Sequence, residues 1–203
     1  MQEKEELLQE KEVLLLLTDH WADWEASYAI TGINSAPQYA VKTIAIDKKS
    51  KVSIGGLHAH IDYAIEEYQC FDHLAMVILT GSYSWGKDRH DEIADFVKKV
   101  NHLAIPIAAI CGATIFLGKH GFLDHVKHTG DELEYFQEQL KDEEGYNGQE
   151  QFILAQSMND KGFITANATA ALEFAREILR TLKVYTNEEI DSWYEQFKHG
   201  MID

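Results

Sequence analysis

The sequence predicts an α/β protein in which a mostly parallel sheet is covered by helices on both faces. Two observations lead to this prediction. Short, uniformly apolar runs alternate along the chain with segments of helical periodicity, and strands buried on both faces have this unbroken apolar character. The chain has 203 residues, of which 45% are hydrophobic and two are proline. It is therefore long enough for one large domain and shows no linker-like stretch.

The first strand is expected at Val13–Thr18, directly after a charged leader that spans residues 1–12. We therefore expect a single domain over residues 13–203. The remaining predicted elements are a helix from Asp23 to about Ile33, a strand Ala40–Ile46, an irregular extended stretch Lys51–His60, a strand Ala75–Thr80, an amphipathic helix around Ile93–Val100, a strand Ile105–Ile110, a helix beginning near Gly112, a strand Gly162–Thr165, a helix around Ala171–Leu182 and a last helix Asn187–Phe197.

The formal net charge of −16 restricts the partners of the protein. Such a field repels phosphate backbones and anionic lipids, so neither nucleic acid nor a membrane surface is expected as a partner. Eight acidic residues and one lysine lie between Asp131 and Glu150, a stretch that we interpret as a solvated helix and loop. The leader lacks the apolar core of a signal peptide, and we expect a cytoplasmic protein. Its expected partner is a small-molecule substrate.

The two cysteines, Cys70 and Cys111, form neither a disulfide framework nor a zinc-ligand pattern, and we expect no metal or other cofactor. Cys111 lies between an apolar strand and a helix start, with small residues two positions away on each side. This pattern is typical of a nucleophile elbow. At a helix amino terminus, unpaired N–H groups favour the thiolate, and the N–H of Gly112 would help to hold an oxyanion. We predict that Cys111 is reactive and that Cys70 is structural.

Several segments together resemble the ThiJ/PfpI family, within the class I glutamine amidotransferase-like superfamily. The resemblance is carried by Ala109-Ile110-Cys111-Gly112-Ala113, by Asp19–Glu25 after the first strand, by Leu79-Thr80-Gly81, and by Ile164–Asn167 followed by Glu173-Phe174-Ala175. It implies a flavodoxin-like three-layer sandwich, often dimeric, and we expect a homodimer.

The same resemblance implies that a glutamate of the first loop contacts the cysteine. By position this glutamate is Glu25, which when protonated would donate a hydrogen bond to the thiolate and lower the pKa of the cysteine. The residues alone leave another interpretation open. Glu25 could be a carboxylate in the first turn of a helix, with Asp23 near the N-cap.

A histidine is the usual proton acceptor in cysteine hydrolases. Proteolytic relatives carry one directly after the cysteine, where this chain has Gly112. His128 lies where several relatives have a histidine after a short strand and is our candidate base, although a core or solvent-facing role stays open. The resemblance also implies that the N–H of Gly81 completes the oxyanion hole.

Three tryptophans, Trp21, Trp24 and Trp85, fall in the two loops that are expected to face Cys111. We interpret them as walls of a narrow apolar substrate pocket, or else as cover for the sheet edge or a dimer interface. The segment Gly81–Asp88 resembles a phosphate-binding loop but ends in an aspartate where a magnesium-binding hydroxyl belongs. Nucleotide binding is therefore not expected.

Two classes of function fit these residues. The first is a cysteine-dependent hydrolase or lyase, of the amidase or the glyoxalase and deglycase type, that acts on a small amide or reactive carbonyl compound. The second is a non-enzymatic redox or stress-response protein in which Cys111 is oxidised reversibly. The same thiolate would serve either role, so the sequence leaves both open.

Overall fold

The computed structural model describes residues 10–85, 90–140 and 146–201. The strands are β1 (Lys11–Leu16), β2 (Tyr39–Ala45), β3 (Lys51–Val52), β4 (His58–Ala59), β5 (Tyr63–Ala64), β6 (Leu74–Leu79), β7 (Ile107–Ile110), β8 (Ser157–Asp160) and β9 (Phe163–Ala166). The α-helices are α1 (Ser27–Asn34), α2 (Asp91–His102), α3 (Gly112–Lys119), α4 (Leu133–Leu140), α5 (Ala171–Leu182) and α6 (Asn187–His199).

Seven strands of the described chain form one sheet in the order β5-β2-β1-β6-β7-β9-β8. Neighbouring strands are parallel, except that β8 runs antiparallel to β9. Strands β3 and β4 form a separate antiparallel hairpin. The predicted mostly parallel sheet is confirmed. In such a sheet the carboxyl ends of the parallel strands share one edge, so the loops that follow β1, β6 and β7 meet there.

Helices cover both faces of this sheet and create two apolar cores, which confirms the flavodoxin-like sandwich. One core contains Leu15 of β1 and Phe174 of α5, and the other contains Leu14 of β1 and Phe116 of α3. Neighbouring residues of β1 thus point into opposite cores. This two-sided burial explains why the strand is apolar without interruption from Val13 to Leu16.

Helices α1 and α5 pack closely on the first of these faces. A Cβ atom at Gly32 of α1 would lie 2.9 Å from Cδ2 of Leu179 on α5, which is shorter than a normal contact. The glycine therefore allows the two helices to approach each other. Because the loop after β1 leads directly into α1, this contact also fixes the position of that loop.

Two element boundaries differ from the prediction at the amino-terminal end. Strand β1 begins at Lys11, inside the predicted leader. Helix α1 begins at Ser27 rather than Asp23, because Asp23 anchors the preceding loop to the β3–β4 hairpin. Its Oδ2 accepts hydrogen bonds from Ser53 Oγ at 2.6 Å and from the N–H of Gly55 at 3.0 Å.

The carboxyl-terminal half also contains structure that the sequence did not predict. Strand β8 is short and largely half-buried, so it lacks the apolar run by which the other strands were identified. Helix α4 lies within the acidic stretch that we interpreted as a solvated helix and loop, but it buries Phe136 and Leu140. Within the described residues, no helix combines the length and the apolar character needed to cross a membrane.

Candidate active site

Cys111 occupies the turn between β7 and α3 with φ 57° and ψ −131°. A positive φ is unusual for a residue other than glycine and indicates local strain. Backbone hydrogen bonds hold the turn: the N–H of Cys111 donates to Ala166 O at 3.0 Å, and its carbonyl accepts from Thr114 N at 2.9 Å. The side chain is only partly buried. The fold therefore presents this thiol in a fixed position at the carboxyl edge of the sheet.

Glu25 is fully buried in the loop between β1 and α1, next to this thiol. Its Oε2 accepts a hydrogen bond from the N–H of Gly81 at 2.5 Å, and its carboxyl group interacts with the side chain of Cys111. Oε1 is buried with no conventional hydrogen-bond partner in the described part of the chain. Because Glu25 precedes the first residue of α1, its interpretation as a helix-start carboxylate is wrong.

Gly81 follows β6 and lies so close to both side chains that a Cβ atom at this position would displace them. A Cβ atom there would lie 2.8 Å from Glu25 Oε1 and 2.9 Å from the Cβ of Cys111. The predicted oxyanion role of Gly81 needs correction, because its N–H is already donated to Glu25. The N–H of Gly112, by contrast, donates toward the sulfur of Cys111. It therefore lies close to the reacting atom, where an oxyanion donor is predicted.

The electrostatic surroundings of Cys111 oppose the expectation that its thiol is ionised at rest. Burial raises the pKa of Glu25 to about 7, although hydrogen bonds from Gly81 and Cys111 oppose the rise. Burial, together with the charges of Glu25 and Asp131, raises the pKa of the Cys111 thiol above its ordinary range, and the N–H of Gly112 offsets only part of this effect. Burial and the neighbouring carboxyl groups therefore oppose the predicted resting thiolate. Near neutral pH the pair of Cys111 and Glu25 carries at most one negative charge.

Asp131 is the site residue that the sequence analysis missed. Its Oδ2 lies 3.9 Å from the sulfur of Cys111, with the thiol as donor, and its Oδ1 accepts a hydrogen bond of 2.7 Å from the N–H of Ala168. Nothing in the sequence distinguishes this aspartate from the other acidic residues that follow it. Only the fold, which places the segment before α4 beside the loop after β9, reveals the contact.

Among the described residues, no hydrogen bond links His128 to Cys111. It is fully buried, with Nδ1 2.7 Å from Val126 O and Nε2 2.9 Å from the hydroxyl of Tyr146. The rings of Phe136 and Phe152 pack around it. Because both ring nitrogens are engaged, the structure corrects the proposed base role and favours the core role that the sequence left open.

This burial predicts a pH effect on stability. Desolvation lowers the pKa of His128 from 6.5, so between the folded and unfolded pKa values the unfolded state binds more protons. The free energy of unfolding contributed by His128 is therefore complete above pH 6.5 and falls as the pH decreases. We expect the stability loss caused by His128→Gln, measured by urea denaturation, to be smaller at acidic than at neutral pH. The exposed His102 supplies the control variant, His102→Gln, for which no such dependence on pH is expected. A stability loss in His128→Gln that did not change with pH would contradict the prediction.

The three tryptophans do not line one pocket. Trp21 belongs to the core beneath α1 and α5, whereas Trp85 packs in the opposite core with its ring 4.6 Å from that of Phe116. Trp24 is 49% exposed. Trp85 lies near the turn, since its Cδ1 is 3.4 Å from the position of a Cβ on Gly112, and Cys111 also packs against the core that contains Trp21. The interpretation of the three as common pocket walls is therefore corrected.

Two further expectations concern ligands. Residues 86–89 of the loop that resembles a phosphate-binding motif lie outside the described residues, so the expectation about nucleotides is not addressed. Within the described ranges, no group of three His, Cys, Asp or Glu residues could hold a metal ion.

Comparison with known proteins places this geometry among relatives of similar length. The model of the DJ-1/PfpI family matches residues 11–181. The uncharacterized protease YdeA of Bacillus subtilis is 36% identical over 191 residues, or 94% of this chain and 92% of that protein. The uncharacterized protease YoaZ of the same organism is 32% identical over 195 residues, or 93% and 91%. The crystal structure of a ThiJ/PfpI family protein from Bacillus anthracis has a TM-score of 0.84 and 32% identity, covering 94% of this chain and 92% of that one.

Proposed function

Because this chain belongs to the DJ-1/PfpI family, we propose that it is a cysteine-dependent hydrolase that cleaves small amides through Cys111. One observation carries the proposal: the fully buried carboxyl group of Glu25 interacts with the Cys111 thiol and keeps Oε1 without another partner. A nucleophile and a proton acceptor in direct contact are the minimum requirement of covalent catalysis. The names of the two Bacillus subtilis relatives, both uncharacterized proteases, favour the same class of bond.

The proposed reaction uses Glu25 where other cysteine hydrolases use an imidazole. As the sulfur of Cys111 attacks the carbonyl carbon, the thiol proton passes to Glu25. The N–H of Gly112 is the donor nearest to the charge that develops. Glu25 then returns the proton to the leaving nitrogen as the carbon–nitrogen bond breaks, which leaves a thioester on Cys111. Water attacks the thioester and gives its proton to Glu25, and the released sulfur recovers that proton as the acid product departs.

The pKa of Glu25, raised by burial to about 7, suits this exchange because a group that titrates near neutral pH both accepts and returns a proton readily. The raised pKa of the Cys111 thiol argues against the alternative of a resting redox sensor, since the thiolate is the species that is oxidised. Hydrolysis requires the thiolate only while substrate is bound. A partly buried, neutral Cys111 therefore fits turnover better than sensing.

The test is a panel of small amides, activated esters and α-oxoaldehydes assayed with the wild type and two cysteine variants. We expect Cys111→Ala to abolish turnover and Cys70→Ala, which removes the exposed cysteine, to retain it. Mass spectrometry after rapid acid quenching of an ester reaction should locate an acyl group on Cys111. Turnover that survives Cys111→Ala would refute the proposal, and turnover confined to α-oxoaldehydes would replace amide hydrolysis by lyase chemistry.

A further inference from the structure

The sulfur of Cys111 lies between two carboxyl groups that differ in exposure. Glu25 is fully buried on one side, and Asp131 is half-buried on the other, with Oδ2 3.9 Å from the sulfur. No ion pair between the described residues includes either carboxyl group. The ion pairs that are present use other acids, such as Asp47 with Lys51 and Glu173 with Lys198. Among the described residues, no cationic side chain therefore offsets the negative charge that these carboxyl groups bring to the reacting atom.

The position of Asp131 is fixed by the backbone. Its Oδ1 accepts the N–H of Ala168, in the loop after β9, at 2.7 Å. Oδ2 is thereby directed toward the sulfur and retains acceptor capacity, because a carboxylate oxygen can accept two hydrogen bonds. Asp131 thus offers a charged acceptor to any molecule that reaches Cys111.

Glu25 cannot serve the same purpose. Its Oε2 is held by the N–H of Gly81, and its Oε1 is buried against the thiol side of the site without a partner. That unpartnered buried oxygen points to a group that is supplied from outside the chain or to the proton that moves during the reaction. The two carboxyl groups are therefore assigned different roles. Glu25 exchanges a proton with the sulfur, and Asp131 is available to the incoming molecule.

We infer that the site selects substrates that carry a protonated nitrogen next to the reacting carbonyl carbon, and that Asp131 binds this nitrogen. The substrate class is then an amide or ester with a free amino group beside the carbonyl, and carboxylate-bearing or phosphorylated compounds are rejected. The identity of the substrate rests on the proposed hydrolase function. The charge selectivity does not rest on it, because it can be measured on Cys111 without turnover.

The experiment compares thiol reagents that differ only in charge. Methanethiosulfonates with a trimethylammonium or a sulfonate tail react with the thiolate in the same way: a sulfur–sulfur bond to the cysteine forms and methanesulfinate leaves. Peptide mass mapping gives the cation-to-anion rate ratio at Cys111 and at the exposed Cys70, which serves as a reference thiol outside the site. We expect the ratio at Cys111 to exceed that at Cys70 by about tenfold or more, as a charge within a few ångströms predicts even with strong screening.

The decisive variant is Asp131→Asn, whose amide oxygen still accepts the N–H of Ala168. We expect it to lower the ratio at Cys111 to that at Cys70. Any change in thiol pKa affects both reagents alike and cancels in the ratio. Asp131→Glu, which restores the charge, should keep much of the selectivity. The matched control is Asp95→Asn, an exposed aspartate on α2, which should leave both ratios unchanged. An unaltered ratio in Asp131→Asn would overturn the inference.

A kinetic arm distinguishes this inference from the function on which it partly rests. Amino-acid amides and their N-acetylated forms are compared as substrates of the wild type and of Asp131→Asn. We expect the variant to raise KM for the free amines and to leave the acetylated forms unaffected. Hydrolysis of both forms with no preference would refute the substrate class while keeping the hydrolase. Failure to hydrolyse either form, with the reagent selectivity present, would refute the hydrolase while keeping Asp131 as a cation-binding residue.

Discussion

Glu25→Gln is expected to make the protein more stable above neutral pH and, at the same time, to disable the chemistry of Cys111. Burial raises the pKa of Glu25 from 4.5 to about 7. Between these values the folded state binds more protons than the unfolded state, so the stability contributed by this group is complete below pH 4.5 and is lost as the pH rises through 7. Above that pH the fold contains a buried carboxylate with no cationic partner among the described residues.

Removing the charge should therefore raise the free energy of unfolding near pH 8 by up to roughly 3 kcal/mol, the value that corresponds to the pKa difference. The glutamine can still accept the N–H of Gly81. Without the carboxyl group that exchanges the proton in the proposed reaction, turnover should fall by about 10²- to 10⁴-fold. Urea denaturation at several pH values, together with kcat on the best substrate of the panel, measures both effects.

The control for this prediction is Glu173→Gln on α5. Glu173 is also buried, but Lys198 and Tyr194 bind its carboxylate and its pKa is lowered. The same chemical change should then destabilise the protein near pH 8. If Glu25→Gln also lowered the stability at alkaline pH, as expected for Glu173→Gln, ionised Glu25 would not destabilise the fold and the prediction would be wrong.

Gly81→Ala is expected to damage both the fold and the site. The new methyl group would lie 2.8 Å from Glu25 Oε1 and 2.9 Å from the Cβ of Cys111. Neither neighbour moves easily, because Glu25 is enclosed and Cys111 is held in its turn. Such overpacking costs about 1–3 kcal/mol. We expect a lower melting temperature and loss of turnover, because the carboxyl group and the thiol are forced apart.

Gly118→Ala separates these two consequences. A Cβ atom at Gly118, on α3, would lie 2.8 Å from the ring of Phe136. This contact is equally short but does not involve Glu25. We expect a similar fall in melting temperature with turnover retained in the folded protein. Comparable activity in Gly81→Ala and Gly118→Ala would show that the spacing between Glu25 and Cys111 is not critical.

The parts of the fold that sequence predicted well are those in which burial is expressed directly in composition. Strands β6 and β7 and the Val13–Leu16 part of β1 are buried on both faces, so their sequences are continuously apolar and their identity is evident. The turn at Cys111 was located by the same logic, since a strand ends and a helix begins there. Glu25 was assigned from family resemblance, and its contact with Cys111 follows from the meeting of two loops at one sheet edge.

The errors concern polar residues whose partners are distant in sequence. His128 is bound by Tyr146, and Asp131 by Ala168; neither partner is marked by any local pattern. Asp23 looked like a helix N-cap because its type and position suit one, but the hairpin of β3 and β4 provides the donors that it actually binds. The Cys111 thiolate was predicted from the helix terminus and a protonated Glu25, whereas burial and the charge of Asp131, which only the tertiary structure shows, act in the opposite direction.

The packing of Gly32 on Leu179 has a consequence for biosynthesis. Helix α1 emerges from the ribosome long before the surface of α5 on which it rests is synthesised. Until then one face of the growing sheet lacks its cover, and the loop with Glu25 has no fixed helix behind it. The nascent chain therefore already contains Glu25, Gly81 and Cys111 before it can hold them together. Activity should appear only when α5 has been released from the ribosome and has docked.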